Sequence, residues 1–367
     1  MCMKISINDQ KYESPIGVIR KKHDKGISYD DIREAVGFGM SLDSFIENNN
    51  STNEWDMTTE EWKLLVDAVK KVDENSLDVS VTDPKKITLA IPKSQNSSWQ
   101  LYKKKLINNG FSDISIKNIE KASQKTVSQL SEETEQDEPV RGIVVGNVQS
   151  GKTANMEGVI SLAEDYGYNL FIVLSGTIDN LRVQTQARMY EDLDNKSGNL
   201  QFVSLPPLSA KTETGYRLQD LQLDDDSKKR YLYVCLKNTS RLKDLLSWLN
   251  ADKAQKQKLK IVLLDDEADQ AGVNTANMKK DLVSRINALI RGVVFAKNQH
   301  LISTVPYKAM NYIGYTATPY ANFLNEANDK SLYPCNFISV LNSPEEYIGP
   351  QQVFGVDGVN EGLPIIN

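Results

Sequence analysis

The sequence predicts an α/β protein, a mostly parallel, doubly wound sheet preceded by a small helical N-terminal domain. Two observations point there. Apolar runs recur at 142–145, 170–174, 201–205, 231–235, 261–264 and 310–315, most of them nearly continuous, as in strands covered on both faces of a parallel sheet. Helical or mixed polar stretches separate them, the alternation of a layered α/β architecture. Residues 1–90, by contrast, carry helical periodicity alone.

In chain order, Tyr29–Val36 has helical spacing with acidic residues near its start. Asn48–Asn53 reads as a linker. Thr58-Thr59-Glu60-Glu61-Trp62 reads as a helix start, with Trp62, Leu65, Val69 and Val72 on one face. A helical adaptor suits this region better than a DNA-reading helix pair, because no basic recognition face is evident. The second domain is expected over 91–345. Trp99, Tyr102, Leu106 and Ile107 form one apolar stripe, and a further helix is expected over Asp113–Leu130. Gln95, Trp99 and Tyr102 could grip a base, although a core or surface role is the simpler reading. Ser131–Glu138 is an acidic, solvated connector.

Composition sets outer bounds. The chain has 367 residues, 40% hydrophobic and 25% charged, ordinary for a globular protein of two or three domains. A net charge of −6 argues against a generally basic nucleic-acid coat and leaves a local groove open. Cys2, Cys235 and Cys335 lie far apart, as do His23 and His300, so neither a zinc site nor a disulfide framework is indicated. No apolar run could span a membrane and the start lacks a secretory pattern. The expected location is cytoplasmic.

Three motifs carry chemistry. The first, Gly146-Asn147-Val148-Gln149-Ser150-Gly151-Lys152-Thr153, fits G-x-x-x-x-G-K-[ST] between an apolar run and a helix-compatible stretch. Its glycines let backbone N–H groups close on a polyphosphate, and the helix N-terminus adds partial positive charge. Gly146, Gln149, Ser150, Gly151, Lys152 and Thr153 are the ATP-binding candidates. Lys152 can reach the β- and γ-phosphates and the Thr153 hydroxyl can ligate Mg²⁺. The second is Asp265-Asp266-Glu267-Ala268-Asp269, ending the run 261–264. Each close pair of carboxylates costs about 4 kcal/mol at 4 Å and an effective dielectric near 20, and a bound cation relieves that. Asp266 is the second magnesium candidate and Glu267 the group to orient and deprotonate water. The third is Thr316-Ala317-Thr318-Pro319, whose hydroxyls could couple the acidic cluster to the rest of the protein.

In order the chain reads G-N-V-Q-S-G-K-T, S-G-T-x-x-N-L, N-T-S-R-L, D-E-A-D and T-A-T-P. This resembles motifs I, Ia, Ib, II and III of superfamily-two helicases and translocases, which implies a RecA-like P-loop NTPase lobe. Thr177, Asn180 and Arg241 stand in the two loops that touch the nucleic-acid backbone in that superfamily. The wording of residues 142–155, 263–269 and 312–322 further resembles the Z-one domain family of bacterial endonuclease-associated proteins, over about residues 90–345. That resemblance implies a helicase-like ATPase acting on DNA, or else RNA, in restriction or anti-phage systems. Implied partners are a PD-(D/E)xK-type nuclease and a GHKL-type ATPase. The alternative is an ATP-dependent assembly switch that recruits nuclease partners without translocating.

A complete motor of that kind has a second lobe supplying an arginine finger. The last arginine here is Arg291, and only residues 320–367 follow Pro319, fewer than a typical domain. The expectation is part of a longer protein, with 346–367 beginning the next region, that binds nucleotide and alone hydrolyses it slowly. Two weaker readings remain. Arg182, Gln184 and Arg188 are phosphate contacts or solvated helix faces, and Lys253–Lys258 is a basic surface run.

Overall fold

A computed structural model describes residues 10–23, 25–76, 81–83, 86–146, 151–176, 178–194, 198–209, 211–269, 285–296, 305–319, 322 and 331–341. Contacts divide the chain into two units, Met1–Val79 and Ser80–Asn367.

The first unit is helical: α1 (Glu13–His23), α2 (Tyr29–Arg33), α3 (Leu42–Asn53) and α4 (Thr59–Ser76). The expected start of α4 is a reciprocal capping box. Glu61 N–H donates to Thr58 Oγ1 at 3.1 Å, and Thr58 N–H donates to Glu61 Oε2 at 2.9 Å. Trp62, Leu65 and Val69 are buried beside Phe45, Ile46 and Trp55, with Trp55 stacked on Trp62 at 5.7 Å. The linker expected over Asn48–Asn53 is instead the second half of α3. Its polar side chains, which favour turns in isolation, bond back one turn: Asn49 to Phe45 O, Ser51 to Glu47 O and Thr52 to Asn48 O. Asn50 also brackets Met57, donating to its carbonyl at 2.8 Å and accepting from its N–H at 3.0 Å. Packing has overridden local preference, and the turn follows at Glu54, φ 53°.

The second unit begins with α5 (Ser98–Asn108) and α6 (Asp113–Ser128), then alternates β1 (Val140–Val145), α7 (Lys152–Asp165), β2 (Leu170–Ser175), α8 (Asp179–Leu193), β3 (Gln201–Ser204) and β4 (Lys229–Leu236). There follow α9 (Thr239–Leu249), α10 (Lys253–Lys256), β5 (Lys260–Asp266), α11 (Arg285–Val294), β6 (Ala309–Thr316) and β7 (Phe337–Val340). Among the described residues the sheet has seven strands in the order β3-β4-β2-β5-β6-β1-β7, every ladder parallel. Successive side chains of a strand point to opposite faces. Phe171, Val173, Val262 and Leu264 accordingly enter one core with α5, α6 and α7. Leu170, Ile172, Ile261 and Leu263 enter a second core with α9 and α11. The α/β doubly wound fold and its helical N-terminal region are those the sequence predicts. Because every strand runs the same way, the loops after β1, β2, β4, β5 and β6 all leave from one edge.

Among the described residues no helix is long and apolar enough to cross a membrane. Three positions read as exposed or available are core. Trp99 and Tyr102 are 0% and 1% exposed, with Tyr102 Oη donating to Ala154 O at 2.8 Å, so neither can grip a base. Lys256, within the run read as basic surface, is buried, its ammonium donating to Asn250 Oδ1 at 2.6 Å and lying over the Tyr307 ring. Burial pushes its pKa down to about 8.

Candidate active site

Strand order decides which loops meet. β6 pairs with β1 on one side and β5 on the other, with Val145 opposite Thr316 and Asp266 opposite Tyr315. The ends of β1 and β5 are therefore two interstrand spacings apart, about 10 Å. Gly146 continues β1, its N–H donating to Thr316 O at 3.0 Å. Residues 147–150, among them the candidates Gln149 and Ser150, lie outside the described residues. Gly151 resumes the loop with φ 78°, left-handed backbone that suits glycine. It is the N-cap of α7, and no side chain caps that helix. The first turn of α7 thus presents backbone donors and the positive end of its dipole. Lys152 and Thr153, both partly buried, occupy that turn, with Lys152 Nζ donating to Gly146 O at 3.1 Å.

Four carboxylates at one strand end would repel one another, and the structure pairs off two of them. Asp265 is fully buried, in an ion pair with Lys237 at 3.1 Å, and accepts from Tyr312 Oη at 2.8 Å. Asp269 accepts from Thr316 Oγ1 at 2.8 Å and from Thr318 Oγ1 at 2.6 Å. A shared cation is therefore not needed to relieve all four, because internal partners serve Asp265 and Asp269. Asp266 and Glu267 remain at the open end. Burial holds Asp266 above the ordinary carboxylate range and the Glu267 charge adds to this, while the Lys237 and Lys152 charges oppose it. Lys152 and Asp266, 114 positions apart in sequence, thus sit close enough to feel each other's charge.

Glu267 is exposed and has φ 53°. A non-glycine residue holds that conformation when its surroundings over-determine it, and such residues cluster at functional sites. Its side chain lies over the end of β2: a Cβ added to Gly176 would stand 3.4 Å from Glu267 Oε2. Behind the site, Tyr315 Oη donates to Asn155 Oδ1 at 2.9 Å and Asn155 Nδ2 to Ser123 Oγ at 3.2 Å, tying β6 to α7 and α6. Asn322 Nδ2 donates to Ala268 O at 3.2 Å.

The donor set at this edge is an ammonium, a hydroxyl, two carboxylates and the start of a helix, which suits a magnesium-bound polyphosphate. Among the described residues no cluster of three or more His, Cys, Asp and Glu side chains could hold a metal ion. A magnesium ion here would need phosphate and water oxygens beside Asp266 and Thr153.

Of the nucleic-acid candidates, Thr177 lies outside the described residues. Asn180 is exposed in the first turn of α8, and Arg241 is exposed in the first turn of α9, its N–H held by the N-cap Asn238. Their parent strands β2 and β4 are neighbours, so the two loops share the site's edge. Arg182 bonds to Asp179 and Gln186 of its own helix, and Arg188 lies 3.8 Å from buried Glu157. Lys237 is a residue the motif reading passes over. It follows an apolar strand, one position before N-T-S-R-L, and that lone lysine is the only trace it leaves in the sequence.

No family model and no curated protein matches the chain. Among solved structures it is similar to a DUF1998 helicase, MrfA, bound to DNA, with a TM-score of 0.40 and 11% identity over 72% of this chain and 32% of that one. It is likewise similar to that helicase bound to DNA and AMPPNP, with a TM-score of 0.38 and 12% identity over 75% and 34% of the two chains. The chain spans about a third of the length of the solved structures it matches.

Proposed function

We propose that this chain is the nucleotide-binding lobe of a helicase-like ATPase, coupling ATP hydrolysis to translocation on or remodelling of DNA. What supports the reading is the strand order: β1 and β5 flank β6, so the segments bearing Lys152 and Asp266 leave from the same end of the sheet, with Glu267 next to Asp266. Lys152 neutralises charge on the β- and γ-phosphates. Thr153 and Asp266 would hold magnesium, which when bound would polarise the phosphates. Glu267 orients the attacking water and accepts its proton. Thr316 and Thr318, bonded to Asp269, connect the acid-bearing turn to β6. Asn180 and Arg241 face the DNA backbone from the adjoining loops. The wider setting, a bacterial restriction or anti-phage system with a partner nuclease, is proposed on the motif wording of residues 142–155, 263–269 and 312–322.

The test is ATP turnover by the full chain, with and without single- and double-stranded DNA. Slow turnover accelerated by DNA is expected. ATP binding with no effect of any DNA or RNA on turnover overturns the translocase reading. ATP-dependent complex formation without strand displacement would favour the assembly switch.

A further inference from the structure

Lys237 is 1% exposed, one of the most buried large side chains in the protein. Its ammonium donates to Glu267 O at 2.9 Å and to Asp266 O, and stands 3.1 Å from Asp265 Oδ1 as an ion pair. An ion pair with Asp265 alone would explain the burial of two charges. It would not explain why the same ammonium reaches the carbonyls of the next two residues, one of which holds a left-handed backbone. The main chain of Lys237 is engaged as well: its N–H is shared between Ser175 O at 3.2 Å and Gly176 O at 3.3 Å. The next residue, Asn238, caps α9, whose first turn carries Arg241. One residue therefore joins the ends of β2, β4 and β5, and with them the loop before α8, the loop before α9 and the turn bearing Glu267.

We infer that Lys237 is a positioning residue that fixes the Glu267 backbone and transmits occupancy of the α8 and α9 loops to the Glu267 carboxylate. The inference rests on the function proposed above. A polyanion drawn to Asn180 and Arg241 pulls on the corner at 236–241, and the Lys237 ammonium is bonded directly to the turn that aims Glu267. Misplacement of a catalytic group by about 1 Å can cost two decades in rate, so a small displacement at this corner suffices.

The decisive variant is Lys237→Met with Asp265→Asn in the full chain. It removes both buried charges together, so no unpaired charge remains in the core, while the bonds to Asp266 O and Glu267 O are lost. A thermal melt and the affinity for a fluorescent non-hydrolysable ATP analogue are expected to stay near wild type. The single-turnover hydrolysis rate at saturating ATP is expected to fall about 10- to 100-fold, and its acceleration by a DNA oligonucleotide to disappear. Lys237→Arg, which keeps the pair with Asp265 but places a planar fork in the slot, is expected to give a smaller fall at unchanged affinity. It decides the matter if the double variant does not fold. Folded variants with wild-type rate and wild-type acceleration overturn the inference and leave the proposed function standing. A wild-type chain without ATP affinity overturns that function and this inference with it.

Discussion

Glu267 is where backbone and chemistry meet. Its φ of 53° is held by bonds on both sides: Lys237 binds its carbonyl, and its N–H donates to Asp266 Oδ1 at 3.1 Å. Replacing Glu267 by Gln keeps the size of the side chain and removes the proton acceptor. Nucleotide affinity is expected to hold while turnover falls by about two decades or more; unchanged turnover in a rapid-quench assay would show that Glu267 is not the base. The residues at this scale divide by how local their signal is. Lys152, Thr153, Asp266 and Glu267 were legible because glycine-loop and acid-tipped-strand chemistry is written in consecutive residues. Lys237 was not, since its partners lie about thirty positions downstream and two of them are main-chain carbonyls. Lys256 was misread because composition does not reveal that Tyr307 and Asn250 enclose it.

The elements that aim the site are β1, β6 and α7, and β1 and α7 each carry a testable contact. A Cβ on Gly142 in β1 would lie 2.1 Å from the ring of Phe337, which is buried in β7. Gly142→Ala is expected to cost about 1–3 kcal/mol by overpacking. Combining it with Phe337→Leu should cost less than the sum of the two changes in denaturant melts. Strict additivity would mean the contact is absent. Helix α7 buries Glu164, and burial raises its pKa to about 8, with Asp165 adding and Ser98 and Arg230 opposing. Between about 4.5 and 8 the folded state binds a proton that the unfolded chain has released. The stabilisation is complete below about 4.5 and is lost as pH rises towards 8, at about 1.4 kcal/mol for each unit crossed. Glu164→Gln, neutral throughout, is expected to flatten the fall of the melting temperature between pH 5 and 8; an unchanged slope would place the titration elsewhere. The continuous apolar strands were legible because both faces of the sheet are covered. β7 was not, being only Phe337–Val340 with no motif attached, and neither was the polar half of α3, which depends on its contact with Met57.

At the scale of the molecule, two units have separate cores, one built on Trp55 and Trp62 and the others on the two faces of the sheet. We propose that the nucleotide site belongs wholly to the second. Residues 80–367 produced alone are then expected to keep the full affinity for ATP; loss of affinity in a folded protein would assign part of the site to the first unit. The parallel sheet was legible from alternation alone, whereas the strand order that lays β6 between β1 and β5 was not, because ladder order is set by long-range packing. That order brings the segments bearing Lys152 and Asp266 to one end of the sheet, where we propose that they enclose one magnesium nucleotide. Isothermal titration of the chain with a non-hydrolysable ATP analogue, with magnesium and then with a chelator, tests it most directly. One-to-one binding is expected, weakened by the chelator and weakened about 10- to 100-fold by Lys152→Ala, as loss of a charge-assisted phosphate contact of roughly 1.5–3 kcal/mol implies. No heat of binding, or binding indifferent to both magnesium and Lys152, would contradict it.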